Sequence, residues 1–98
     1  MTERFTPGRP TFLASDSPSQ PYSTVFEDDG ETGYFYAWDQ SQAEGQILDA
    51  IHVYDVASVV DKHLESEVEI VWAGDGLKSV LLINGPSRAV FDFAAKRA

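Results

Sequence analysis

The chain has 98 residues, the length of one ordinary domain, and its 43% hydrophobic and 23% charged residues are typical of a globular protein. Its formal net charge of −9 would repel a phosphate backbone, which argues against nucleic-acid binding. The absence of cysteine excludes disulfides, thiolate metal sites and cysteine nucleophiles. Because no apolar leader and no apolar run of membrane length are visible either, we expect a protein of a reducing cytoplasm.

The N-terminal segment, residues 1–22, contains four of the five prolines of the chain. Proline lacks a backbone donor and disfavours helix at the residue before it, so most of this segment is predicted to be loop. Only residues 11–15 have the composition of a strand, and the neighbouring prolines favour an edge position for it. Residues 23–98 are then predicted to form a single antiparallel β-rich domain.

The clearest strand signal is a hairpin. Residues 23–27 and 34–38 are runs of β-branched and aromatic residues, and the acidic sequence EDDGE at residues 27–31 lies where they meet. Glycine takes the positive φ that a tight reversal requires. Both faces of the second strand are substantially apolar, which predicts a central position for it in a sheet.

Four further strands are predicted in the rest of the chain. Residues 47–54 are rich enough in β-branched side chains to favour a strand, whereas residues 56–65 fit either a helical turn or an irregular crossover. Alternation and glycine-containing turns predict a C-terminal three-stranded meander over residues 67–73, 77–83 and 88–93. The predicted fold class is mainly β, with a β-rich α+β arrangement as the alternative. We expect an antiparallel sheet or small sandwich of about six to seven strands.

Several stretches resemble a family of small bacterial proteins that is known only as a domain of unknown function. The longest is VFEDDGETGYFYA at residues 25–37, and shorter matches lie at residues 47–54, 72–78 and 89–93. The resemblance implies a bacterial protein of this general size. It implies no activity and no catalytic residue, and small stand-alone chains of that kind suit an accessory or binding role.

The acidic hairpin tip is a candidate docking surface, and its side chains are Glu27, Asp28, Asp29 and Glu31. Three interpretations are open: a solvated tip, a docking surface for a basic partner, or a site for a hard divalent cation, which prefers carboxylate oxygens. The spacing does not match an EF-hand, and neighbouring strand residues point to opposite faces. The solvated tip is therefore the leading interpretation and the docking surface the second, and we predict no metal site and no cofactor.

A small-ligand binder or enzyme is the first alternative function, with a candidate pocket lined by Tyr36, Trp38, His52 and Trp72. Alternation places Tyr36 and Trp38 on one face together with Tyr34, and such a row fits either core packing or a partner groove. His52 has the chemistry of a general base, but a single histidine is more often a half-buried polar contact.

No catalytic template fits the sequence, so we predict no catalytic residues. No serine stands in a nucleophile elbow, and the glycine-containing turn at residues 74–79 lacks the spacing of a phosphate loop. The leading hypothesis is a non-enzymatic, small acidic binding protein of the bacterial cytosol, which uses its acidic hairpin and the adjacent sheet face in an immunity-type or regulatory role. A basic protein partner would complement its charge, whereas nucleic acid and membrane are not expected. A structural homodimer, assembled through sheet edges or an aromatic face, is the second alternative.

Overall fold

Alternating apolar and polar residues organise most of the chain into strands. The computed structural model describes residues 2–41, 46–59 and 64–95, which form eight strands and one 3₁₀ turn, Val56–Ser58. The strands are β1 (Thr2–Phe5), β2 (Thr11–Asp16), β3 (Tyr22–Asp28), β4 (Thr32–Asp39), β5 (Gln46–Asp55), β6 (Ser66–Trp72), β7 (Lys78–Ile83) and β8 (Ser87–Asp92). The described ranges contain no helix long and apolar enough to cross a membrane.

The strands form two antiparallel sheets of four strands each. Sheet I has the order β1-β6-β7-β8, and sheet II has the order β2-β3-β4-β5. The mainly β prediction is therefore correct, but eight strands replace the expected six or seven. The additional strand is β1, whose sequence TERF has no apolar alternation; it is a strand because it pairs with β6. The predicted C-terminal meander is thus part of a larger four-stranded sheet.

The N-terminal segment is part of both sheets. Its first strand, β1, pairs with β6 of sheet I, and its second, β2, pairs with β3 at the edge of sheet II. Phe5 and Leu13 from these strands are buried in the core. The loop between β1 and β2 therefore connects the two sheets, and the core does not begin at residue 23.

The core lies between the facing sides of the two sheets. Its inward-pointing residues form one cluster, in which Phe26, Phe35 and Phe91 are fully buried. Burying one such ring contributes about 2–3 kcal/mol relative to leaving it exposed. The hydroxyl groups of Thr24 and Ser79, one from each sheet, hydrogen bond across the core at 2.8 Å, so this buried polar pair is satisfied. The sandwich leaves one outer face on each sheet.

Candidate functional site

Asp28 is not on the surface of the hairpin tip, which corrects its assignment to the docking surface. It ends β3 and shares the inward face with Phe26, two residues earlier, so only 1% of it is exposed. Its Oδ2 accepts hydrogen bonds from the backbone N–H of Gly8 at 2.9 Å and from the Tyr54 hydroxyl at 2.6 Å. Its Oδ1 accepts one from the backbone N–H of Gly30 at 2.8 Å. Asp28 therefore ties the β1–β2 loop, the hairpin tip and β5 together.

The rest of the tip remains in solvent. Asp29 is exposed, and its Oδ1 accepts hydrogen bonds from the backbone N–H groups of Glu31 and Thr32, each at 2.9 Å. The bond from Glu31, followed by that from Thr32, lowers the pKa of Asp29 below its usual value. Gly30 has a φ of 102°, the positive value predicted for the turn. In the described part of the chain no three His, Cys, Asp or Glu side chains converge on a possible metal position.

Tyr54 completes the buried cluster around Asp28, and Gly33 makes room for its ring. A Cβ on Gly33 would lie 2.5 Å from two carbons of the Tyr54 ring, so no side chain fits there unless the ring moves. Gly33 therefore serves a close approach rather than a positive φ, unlike Gly30 in the same hairpin. Burial first, and then the hydrogen bond to Asp28, raise the pKa of the Tyr54 phenol far above its ordinary value.

Alkaline pH is expected to destabilise the protein through Tyr54. The folded state holds the phenol proton more tightly than the unfolded chain, so this stabilisation is complete below about pH 10 and is lost as the pH rises further. Urea unfolding measured from neutral to strongly alkaline pH should show wild type releasing up to about one more proton on unfolding than Tyr54→Phe. If the unfolding free energy of the two proteins changes equally with pH above about pH 10, this role of Tyr54 is contradicted.

The predicted pocket does not form, because its four residues lie in two places. Trp72 belongs to sheet I, where its Nε1 donates a 3.0 Å hydrogen bond to the Ser15 hydroxyl and its ring stacks on Phe93.

Tyr36 and Trp38 are half-buried on the outer side of sheet II. The buried residues of the same strand, Phe35 and Ala37, point to the inner side. His52 is exposed on the same sheet. Sequence alternation does not reveal which sheet a strand joins, and this grouping is therefore wrong.

A cavity of about 370 Å³ lies elsewhere, between the sheets near Phe5 and Val53. None of the four predicted pocket residues lines it.

The outer side of sheet II presents a grid of side chains that is set by the strand registers. We call it the aromatic face; its three cross-strand rows are Phe12-Glu27-Tyr34-His52, Ala14-Val25-Tyr36-Ala50 and Asp16-Ser23-Trp38-Ile47. Phe12 is 66% exposed and Ile47 is 53% exposed. Val25 is only 5% exposed although it is outside the core cluster, so its neighbours on this face cover it. Phe12 and Ile47 lie at opposite corners of the grid, with the half-buried rings of Tyr34, Tyr36 and Trp38 between them. Exposed apolar side chains among polar ones are a feature of interaction sites.

Ring contacts and hydrogen bonds order the centre of the aromatic face. The Tyr36 hydroxyl donates a 3.1 Å hydrogen bond to Oε1 of Glu27. Burial is the larger cause of the raised pKa of Tyr36, and this hydrogen bond is the second. The rings of Tyr34 and Tyr36 stack with centroids 5.8 Å apart. The His52 ring meets Tyr34 edge-on at 5.9 Å, and its Nε2 lies 3.0 Å from Oδ1 of Asp55. Of the predicted tip residues, only Glu27 joins this face.

The two outer faces of the sandwich differ in charge. On the outer face of sheet I, which we call the mixed-charge face, Arg4 is the register partner of Glu67, and Lys78 that of Asp92. The aromatic face, by contrast, is formed by a stretch of sequence that has aspartate and glutamate but no lysine or arginine. Between Arg9 and Lys62 there is no lysine or arginine, and the acidic residues there are Asp16, Glu27, Asp28, Asp29, Glu31, Asp39, Glu44, Asp49, Asp55 and Asp61. The three rows of the aromatic face thus combine aromatic rings with the carboxylates of Asp16 and Glu27, and they contain no lysine or arginine.

Comparison with known proteins gives a family but no activity. Residues 5–98 match the family model described as "Uncharacterized protein conserved in bacteria (DUF2251)". An uncharacterized protein of Haemophilus influenzae is 51% identical over 73 residues, or 74% of this chain. The match covers 45% of that relative, so the chain spans less than half of its length. No solved structure matches the chain. The resemblance predicted from the hairpin sequence is thereby confirmed, and the chain belongs to this family of uncharacterized bacterial proteins.

Proposed function

We propose that this chain is a non-enzymatic binding protein of the bacterial cytosol that engages a basic protein through its aromatic face. The interaction would be immunity-type or regulatory: a small acidic fold covers a basic surface of another protein without chemistry of its own. Electrostatic complementarity of this kind speeds association and selects among partners. The proposal keeps the predicted class of function and narrows its site from the acidic hairpin and adjacent sheet face to the sheet face alone.

The observation that carries the proposal is that aromatic rings and carboxylates lie together in the three rows of the aromatic face, which contain no lysine or arginine. Phe12, at 66% exposure, lies beside the half-buried carboxylate of Glu27 in the same row. Aromatic residues are enriched at protein interfaces, and their rings attract cationic side chains. A carboxylate beside such rings favours a partner with lysine or arginine at its surface.

The pocket-based alternative receives no support from the geometry, since its four residues are divided between the sheets. A homodimer through the aromatic face would bring Asp16 and Glu27 of one copy against those of another, and both copies have a net charge of −9. Like charges across an interface disfavour association, so a basic partner is the better complement.

Site-specific photo-crosslinking tests the proposal in the bacterium that produces the protein. A photoreactive phenylalanine analogue replaces Ala14, which is exposed on the aromatic face, or Val90, which is exposed on the mixed-charge face. We expect a discrete adduct with a basic protein from position 14 and none from position 90, with identification by mass spectrometry. Adducts that are equal at both positions, absent from position 14, or formed with an acidic protein would contradict the proposal.

A further inference from the structure

One row of the aromatic face places a carboxylate between aromatic side chains of neighbouring strands. Glu27 on β3 is the register partner of Phe12 on β2 and of Tyr34 on β4. Because adjacent strands are about 4.8 Å apart, the two aromatic residues are separated by about 9.6 Å at the backbone, with the carboxylate between them. A flat cation above Glu27 can therefore contact the carboxylate and the face of a ring at the same time.

The groups of this row are already ordered by their neighbours. Tyr36 donates its hydroxyl hydrogen bond to Oε1 of Glu27 and stacks on Tyr34, and the His52 ring packs against Tyr34 at an interplanar angle of 75°. Among the described residues, that bond is the only one to the Glu27 carboxylate, so Oε2 remains as an acceptor for a partner. Side chains that are ordered before binding lose less conformational entropy when the partner arrives.

We propose that the aromatic face recognises an arginine of its partner, whose guanidinium binds Glu27 and stacks on Phe12 or Tyr34. This inference rests on the proposed function and names the chemical group that is recognised. A guanidinium is planar, donates a fork of hydrogen bonds to a carboxylate and stacks on aromatic rings. A lysine ammonium is a compact and strongly hydrated charge, so it satisfies the carboxylate but gains less from the rings.

Two other occupants fit the row less well. A divalent cation prefers several converging oxygen ligands, and the described residues contain no group of three carboxylate or histidine side chains that could hold one. A second copy of the chain would bury Glu27 against the same acidic face. The sequence between Arg9 and Lys62 provides no cation to neutralise that contact.

Fluorescence anisotropy with two labelled peptides, nona-arginine and nona-lysine, tests arginine recognition at physiological ionic strength. Wild type is expected to bind nona-arginine about fivefold more tightly than nona-lysine, because only the guanidinium stacks. Glu27→Gln, and the double variant Phe12→Leu with Tyr34→Leu, should reduce this preference to less than about twofold, whereas Tyr34→Phe, which keeps the ring, should retain it. The thermal midpoint of each variant confirms that it is folded before its affinity is interpreted.

A matched control separates failure of this inference from failure of the proposed function. Glu67→Gln removes the same charge from the exposed mixed-charge face. If wild type binds both peptides equally while Glu27→Gln weakens both more than Glu67→Gln does, arginine recognition is wrong and docking on the aromatic face stands. If Glu27→Gln and Glu67→Gln have equal effects, both are wrong. Sedimentation tests whether a second copy occupies the face. If wild type is a dimer that Glu27→Gln dissociates and that nona-arginine leaves intact, a second copy covers the aromatic face and the inference is overturned.

Discussion

Replacing Asp28 with alanine is expected to lower the free energy of unfolding by about 3–5 kcal/mol, the largest effect of any acidic side chain among the residues that the structure describes. The carboxylate is 1% exposed and accepts from two backbone N–H groups and one phenol. Its removal leaves three part-buried donors without their acceptor. Each buried donor left in this state costs about 1–3 kcal/mol, and bonds to a charged acceptor are at the upper end.

Asp28→Asn provides a second variant of nearly the same shape. Its amide keeps one oxygen acceptor but turns an N–H₂ group toward donors, so we expect a loss of about 2–4 kcal/mol. Equilibrium urea unfolding of both variants measures the effect, with Glu31→Gln as the control. Glu31 is exposed on the same hairpin tip, and its substitution should change the unfolding free energy by less than about 0.5 kcal/mol. Losses as small for both Asp28 variants would contradict the tie between the loop, the tip and β5.

Strands with strong local alternation could be predicted from the sequence, whereas contacts between distant segments could not. The second hairpin strand was predicted to be central because both of its faces are apolar, and β4 lies between β3 and β5. Strand β1 lacks a local signal and depends on β6, more than sixty residues away. The first hairpin strand is predicted to end at residue 27, whereas β3 continues to Asp28. Alternation extended by this one residue places Asp28 on the inward face with Phe26. Its partners Gly8 and Tyr54 are 20 and 26 residues distant, beyond any local pattern.

The aromatic face was predicted only in part for the same reason. Alternation correctly placed Tyr34, Tyr36 and Trp38 on one side of a single strand. Adding Phe12 requires the registers of β2 with β3 and of β3 with β4, which no local pattern reveals. The contrast in charge between the two outer faces likewise appears only when each strand is assigned to its sheet.

Removing two negative charges from the aromatic face should weaken binding of a basic probe, and removing two from the mixed-charge face should not. The double variant Asp16→Asn with Glu27→Gln changes the first face, and Glu67→Gln with Glu69→Gln changes the second. Both have the same net charge, so only position differs. At physiological ionic strength the Debye length is about 8 Å, and the two sheets alone are about 10 Å apart, so charges on one outer face act weakly on a probe at the other.

The affinity of these two double variants for labelled nona-arginine, compared with wild type, tests most directly whether the aromatic face is the binding surface. We expect the variant on the aromatic face to bind about tenfold more weakly, because a partly buried carboxylate in direct contact with the cation is lost. The variant on the mixed-charge face should bind within about twofold of wild type. Equal weakening by the two variants would show that overall charge alone attracts the probe, and would contradict a binding site on the aromatic face.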